Sequence, residues 1–364
     1  MAKTLLTGAT GFIGSHLARA LVARGDDVRI TVREASDTRQ LEGLELEPVR
    51  CDVLDRRAVR RALKGVDRVF HAAGMTSVRP RDAERLFSVN VGGTTVVMEE
   101  CLRADVGRVV FTSSAAALGP AERGETADEQ QLFTAAHLGI PYVSSVHEAE
   151  GVALRVAAQG LPLVCVNPAV AFGPGDVHVT STRLVRSFLL GNVPAYADGG
   201  LNVVDVRDVA QGHLQADALG AVGERYILGG RNYTFDRLFA DLGRLTGITP
   251  PVKVPRGLAA VATGVMGLGP GRSLLTPAEV AAASQFWTYS SNKAKRELGF
   301  SARNHEDTLE ATVAWYQDQE GDRIARSRHS QELQYRAAGA MIGVGEGMAA
   351  TGRRILGGLG LRRR

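Results

Sequence analysis

The sequence predicts an α/β protein, a doubly wound parallel sheet followed by a smaller lobe, and three observations carry that prediction. Short β-branched and apolar runs alternate with amphipathic helical stretches from the N-terminus to about residue 168. Such alternation implies right-handed strand–helix–strand crossovers, and so a parallel sheet covered by helices on both faces. The first strand runs directly into a glycine-rich turn, Thr7-Gly8-Ala9-Thr10-Gly11-Phe12-Ile13-Gly14, that opens a helix. Beyond it the pattern loosens into shorter elements separated by Gly- and Pro-containing loops.

Taken in order, strands are expected at residues 4–7, 28–32, 48–51, 68–71, 108–112 and 162–166. Each is too short for a helix and is rich in Val, Ile, Leu, Phe or Thr. Helices are expected over 13–24, 83–103 and 144–159, where apolar residues recur at helical spacing. Further on, the pattern reads as a helix at 182–190, strands at 202–206 and 225–228, and helices at 235–246 and 306–319. Pro250, Pro251 and Pro255 mark a break between them. The expected division is a doubly wound domain at 1–170, to whose sheet later segments are free to return. A mostly separate lobe follows at 171–320, and a basic Gly/Ala-rich tail at 321–364.

Composition narrows the class. With 364 residues, 45% hydrophobic, 23% charged and 5% aromatic, the chain has the profile of a soluble globular protein. The net charge of +4 arises in the tail, where residues 322–364 hold nine Lys/Arg against three Asp/Glu, leaving the rest slightly acidic. No nucleic-acid partner is expected of such a body. Cys51, Cys101 and Cys165 lie apart in apolar stretches without a CxxC pair, as reduced thiols of a cytoplasmic protein would. The uncharged stretch 257–271 is glycine-rich and shorter than the ~20 residues of a membrane span. The tail has two readings, a solvated mobile segment, which its glycines favour, or a peripheral contact with an anionic membrane. No metal site is expected, because the eight histidines are dispersed and His147-Glu148-Ala149-Glu150 is not HExxH.

The glycine turn carries the first chemistry. Gly8, Gly11 and Gly14 sit between a strand and a helix, where glycines permit a tight turn. They also let a pyrophosphate reach the amides at the positive end of the helix. This is the Rossmann arrangement, with Thr10, Phe12 and Ile13 filling the turn. The second strand ends about 20 residues later, where this fold reads the adenosine ribose. It has no carboxylate at its tip but does have Arg33, a planar cation suited to a 2′-phosphate, so NADP is expected ahead of NAD. The alternative is a solvated surface arginine, with Glu34 offsetting its charge. Asp52, followed by Val53 after the third strand, is suited to an adenine amino group or to capping the next helix, a place Asp55 also fits.

The ordered motifs Thr7 to Gly14, Cys51-Asp52, Val69-Phe70-His71-Ala72-Ala73-Gly74, Val89-Asn90-Val91-Gly92-Gly93-Thr94 and Val110-Phe111-Thr112-Ser113-Ser114 give a more specific likeness. The chain resembles the extended short-chain dehydrogenase/reductases of the NAD-dependent epimerase/dehydratase type. Within them it is similar to the dihydroflavonol-reductase-like proteins and the hopanoid-associated sugar epimerases. The resemblance runs from about residue 3 to 320. It implies a substrate-binding role for the second lobe, a small carbonyl or alcohol substrate, and a homodimer joined through long helices. It places Ala72, Ala73 and Gly74 along the cofactor and Asn90 in a helix lining the site. Asn167-Pro168 falls where the nicotinamide carboxamide sits, although each asparagine is equally suited to satisfying buried backbone groups.

By the same resemblance Ser114 is the hydroxyl that steadies the substrate oxygen and Tyr142 the acid/base. The lysine that accompanies such a tyrosine is missing. Tyr142-Val143-Ser144-Ser145-Val146 puts valine four residues on, at the position sharing its helix face. The five lysines, Lys3, Lys64, Lys253, Lys293 and Lys295, lie outside this helix. His147 points about 140° away and Arg155 lies about 20 Å along. Without a cation, a tyrosine of pKa about 10 is ionised in only ~0.1% of molecules at pH 7. The expectation is therefore an NAD(P)-dependent oxidoreductase biased toward carbonyl reduction from NADPH. A nucleotide-sugar epimerase or dehydratase and a non-catalytic NADP-binding protein remain as alternatives.

Overall fold

A computed structural model describes residues 2–77, 79–193, 195–254 and 282–327. Pro194, Pro255, the apolar stretch 257–271 and nearly all of the basic tail lie outside the described residues.

The first part of the chain forms β1 (Lys3–Thr7), α1 (Phe12–Arg24), β2 (Asp27–Val32), β3 (Glu47–Arg50), α2 (Arg56–Ala62) and β4 (Arg68–His71). Then come α3 (Ala83–Phe87), α4 (Gly93–Arg103), β5 (Arg108–Thr112), α5 (Pro141–Ala157) and β6 (Leu163–Pro168). After these the chain makes β7 (Val170–Phe172), α6 (Arg183–Leu189), β8 (Ala195–Tyr196), β9 (Gly200–Asp205) and α7 (Val206–Leu219). It continues as β10 (Arg225–Leu228), β11 (Arg231–Thr234), α8 (Phe235–Thr246), β12 (Val252–Lys253), β13 (Phe286–Trp287) and α9 (Asn292–Leu298). Residues 305–327 form a further helix, α10.

Seven strands make one sheet in the order β10-β6-β5-β4-β1-β2-β3, and every pairing in it is parallel. The doubly wound fold expected from the strand–helix alternation is therefore present. β10 returns to this sheet from far along the chain, next to β6. The strand order reverses between β1 and β4, which opens a crevice at the carboxyl ends of the strands. A second sheet runs β11-β9-β13 with β7 also on β9. Its apolar face packs against Phe188, Leu238, Phe239 and Tyr316 in a separate core.

Three departures from the sequence expectation bear on the site. The helix expected over 83–103 is broken by a wide π-type turn at Ser88–Gly92. Such a turn rotates the register of the helix, and here it directs Asn90 inward, where it is 5% exposed. Gly93 beyond the turn passes so close to β3's end that a Cβ there would meet Val53 Cγ2 at 2.9 Å. Second, α5 starts at Pro141, whose missing N–H fits the first helical position, so Tyr142 stands in the opening turn. Third, α7 has no counterpart among the expected helices, yet it packs along α1. Its polar residues are buried in pairs: Asp208 with Arg303, His213 with Thr112, and Asp217 with Arg24 and Arg68.

Candidate active site

The glycine turn lies in the crevice, and the close contacts explain its composition. Gly8 has φ +75°, and a Cβ on it would stand 2.5 Å from Ala72 O and 2.6 Å from Ala73 N. A Cβ on Gly14 would lie 2.0 Å from Gly8 O. The turn closes by a bond from Gly11 N to Gly8 O at 3.0 Å, and Gly11 caps α1 without a side chain. The first turn of α1 carries no acidic residue. Its amides and positive helix end therefore face a cradle from which side chains are excluded, which suits a pyrophosphate. Thr10, Phe12 and Ile13 lie in or next to this cradle, and Thr10 O takes a bond from His178 Nε2 at 3.3 Å.

Under the turn, His71 at the tip of β4 is fully buried and bonded to Thr7 Oγ1 at 2.7 Å. Burial pulls its pKa down to about 4, so the imidazole is neutral. Thr7 Oγ1 also accepts from Ala73 N at 3.3 Å. These bonds hold the Ala72-Ala73-Gly74 segment against the turn.

At the adenosine end Arg33 is exposed just past β2, with its backbone N bonded to Ser36 Oγ at 2.9 Å. Glu34 does not neutralise it but pairs with Arg50, and Arg39 is taken by Asp37. Among the described residues no carboxylate pairs with Arg33, whose guanidinium suits an anion. Asp52 is exposed and accepts from Leu54 N at 2.9 Å, while Asp55 caps α2. Asp52 is therefore not the helix cap and keeps acceptor capacity open at the crevice rim.

At the other end of the crevice Asn167 is wholly buried. It donates to Ser114 O at 3.1 Å and to Glu150, while its Oδ1 has no partner. An orphaned buried carbonyl beside Pro168 matches the amide donor of a nicotinamide carboxamide. Together with the glycine cradle, this means that the residues present fit a nicotinamide dinucleotide.

Asn90 reaches the site through the protein. Its Oδ1 accepts from Met75 N at 2.7 Å, and its Nδ2 donates to Met75 O and to Ser145 Oγ, both at 3.0 Å. Ser145 Oγ in turn bonds Tyr142 O at 2.8 Å. Asn90 thus clamps the segment after β4 onto the first turn of α5.

The hydroxyls of Ser114 and Thr76 act on the Tyr142 phenol and favour its ionised form. Burial acts more strongly in the opposite sense, so the pKa lies above that of a free tyrosine. Ser114 accepts from Ala116 N at 3.2 Å, which fixes its oxygen and leaves its proton to donate. Among the described residues no cation acts on the phenol. Val146 is buried at 8% exposure where the resemblance puts lysine. His147 stacks on Phe133 at 3.8 Å and bonds Ala117 O at 2.9 Å, and Arg155 lines a separate hollow with Val91 and Gly151. Lys3, Lys253 and Lys293 pair with carboxylates elsewhere.

Thr76 was not among the residues singled out in the sequence. Nor was Glu150, a side chain 2% exposed that receives Ser113 Oγ at 2.5 Å and Arg225 Nη1 at 2.9 Å. Glu150 ties α5 to the ends of β5, β6 and β10. Around Tyr142 the surface is apolar: Phe133, Leu138 and Trp287 pack with it on Ala135, Ile140 and Val143.

The model of the NAD dependent epimerase/dehydratase family matches residues 4–229. A Synechocystis protein provisionally named dihydroflavonol 4-reductase is 36% identical over 325 residues, covering 86% of this chain and 94% of its own. Sterol demethylase protein B of Methylococcus capsulatus is 38% identical over 262 residues, or 70% of this chain and 80% of its own. Among solved structures, gox2253 superposes with TM-score 0.78 at 36% identity, covering 88% of this chain and 99% of that one.

Proposed function

The chain belongs to the NAD dependent epimerase/dehydratase family, whose relatives here include reductases, and from that premise we propose that it reduces a small apolar carbonyl compound with NADPH, Tyr142 donating the proton. The observation that carries this reading is a phenol on which no cation among the described residues acts, whose pKa burial raises above that of a free tyrosine against the hydroxyls of Ser114 and Thr76. A protonated phenol is an acid. It is ready to protonate a carbonyl oxygen and poorly suited to removing a hydroxyl proton, the opening step of alcohol oxidation and of sugar epimerisation.

When bound, the dinucleotide supplies the hydride. The glycine turn and α1 would hold its pyrophosphate, Asn167 Oδ1 would accept from its carboxamide, and Arg33 would bind a ribose 2′-phosphate. Ser114 directs its proton to the substrate oxygen, and Tyr142 donates to the same atom as negative charge develops there. Phe133, Leu138 and Trp287 exclude water from the approach and favour an apolar substrate.

The pH dependence of the reverse reaction tests this. Oxidation of the product alcohol requires the phenolate, so its rate should still climb about tenfold per unit between about pH 7 and pH 9. Val146→Lys should bring the plateau down into that range. A native plateau already reached near about pH 7 would overturn the reading, as would product inversion without net redox. NADPH binding with no turnover over a broad carbonyl panel would also overturn it.

Arg33→Ser should raise the KM for NADPH by about 10–100-fold while leaving NADH unchanged, as expected for the loss of a charge-assisted contact. An unchanged NADPH/NADH ratio in initial-rate assays would return the preference to NAD.

A further inference from the structure

We propose that His178 is a dinucleotide-binding residue, an imidazole that takes up a proton from water when the cofactor binds and directs it, as a hydrogen bond, to one of the cofactor's phosphates. The proposal rests on the seat of the dinucleotide in the glycine cradle and not on the direction of the reaction.

His178 reaches the cradle from the segment that follows β7, which is tied back to the start of the chain at three points. His16 Nε2 on α1 donates to Pro174 O at 2.9 Å, and Gln40 Nε2 donates to Gly175 O at 2.6 Å. His178 Nε2 itself bonds Thr10 O, inside the glycine turn, at 3.3 Å. Between these ties the backbone is forced into a tight shape. Asp176 is fully buried, and its carboxylate accepts from the amides and hydroxyls of both Thr180 and Thr182. Val179, whose N–H bonds Asp176 O at 2.9 Å, has φ +50°, a left-handed conformation that a β-branched residue adopts only when its surroundings impose it. The turn so built presents His178, exposed to solvent, at the cradle.

The ring has a second nitrogen to offer. Thr10 O is an acceptor, so Nε2 carries the hydrogen between them, and Nδ1 of the neutral ring holds a lone pair. A proton added at Nδ1 gives the ring a positive charge and a second donor. Imidazole is the side chain whose charge changes between about pH 5 and pH 8, where a nearby anion draws that proton on. Asp37, on the segment after β2, feels the His178 charge but is bonded at both oxygens to Arg39. Asp176, on the same turn as His178, is occupied by Thr180 and Thr182, and the first turn of α1 has no acidic residue. A cofactor phosphate is the anion that the cradle itself brings to Thr10.

Calorimetric titration of the native chain, His178→Gln and His178→Arg with NADP and with NAD tests this without any turnover. Glutamine keeps a donor for Thr10 O but takes no charge, so affinity should fall about tenfold near pH 6, as for one charge-assisted hydrogen bond. Loss with both dinucleotides assigns the pyrophosphate, and loss with NADP alone assigns the 2′-phosphate beside Arg33. Arginine should bring the affinity back. Native binding, compared in buffers of different ionisation enthalpy, should take up part of a proton more than either variant does. Binding raises the proton affinity of the ring, so the native advantage over His178→Gln should shrink as pH rises from about 6 to about 8.

Unchanged affinity for both dinucleotides in His178→Gln would overturn the proposal. So would a loss in both variants with no extra proton taken up by the native chain, which would mark His178 as a merely structural tie. A native chain that binds neither dinucleotide would overturn the cradle, and this proposal with it.

Discussion

Tyr142→Phe lowers kcat for carbonyl reduction by about 10²–10⁴-fold, the range for loss of a positioned general acid, and leaves dinucleotide affinity within about twofold. The phenyl ring keeps its packing on Ile140 and Val143 beside Phe133 and Trp287, so the opening turn of α5 is preserved. Only the oxygen on which Ser114 and Thr76 act is removed. Because no cation among the described residues acts on the phenol, no second acid among them takes over. His147 is held by Ala117 O and Phe133, and His71 is neutral and bonded to Thr7. Steady-state kinetics beside fluorescence titration with NADPH check the prediction. A variant retaining native kcat would place the proton source elsewhere.

Gly14→Ala abolishes dinucleotide binding and destabilises the fold by about 1–3 kcal/mol, the range for overpacking a closed site. The added carbon would lie 2.0 Å from Gly8 O and 2.7 Å from Gly8 C, both backbone atoms. A flexible side chain could swing away from such a contact, but here α1 or the turn must shift. Either shift tilts the helix amides away from the cradle. The turn has little room to yield, since a Cβ on Gly8 would itself lie within 2.6 Å of the Ala72 and Ala73 backbone. Gly321→Ala is the control, because a Cβ there meets nothing within 4 Å. Urea unfolding and calorimetric titration with NADP distinguish the two effects. Native affinity in Gly14→Ala would show that the pyrophosphate lies away from this turn.

Much of the site was legible from residue order. The glycine turn and the tip of the second strand could be named because each follows from a strand end, whereas Ser114, Tyr142 and the valine at position 146 were named from the family resemblance. Arg33 was named with a reservation over Glu34, which pairs with Arg50 in the structure. The residues missed share a different character. Thr76 belongs to an irregular loop, where Asn90, bent inward by a π-type turn, joins its neighbour Met75 to Ser145. Glu150 reads in the sequence as a charge on a helix surface, yet it is buried by Arg225 from a strand 75 residues further on. The same effect hid α7, whose Asp208, His213 and Asp217 look solvent-facing and are not.

The sequence by itself determined the parallel sheet, the place of the dinucleotide cradle and the absence of a lysine beside the tyrosine. These depend on local periodicity, on glycine's lack of a side chain and on helix spacing, all of which act over a few residues. Tertiary structure alone decided which hydroxyls act on the phenol, which partner Glu34 takes and which carboxylates are buried. Those outcomes depend on partners brought together from distant segments. A charged or polar side chain carries no mark of whether it will meet water or a neighbour until the chain has folded.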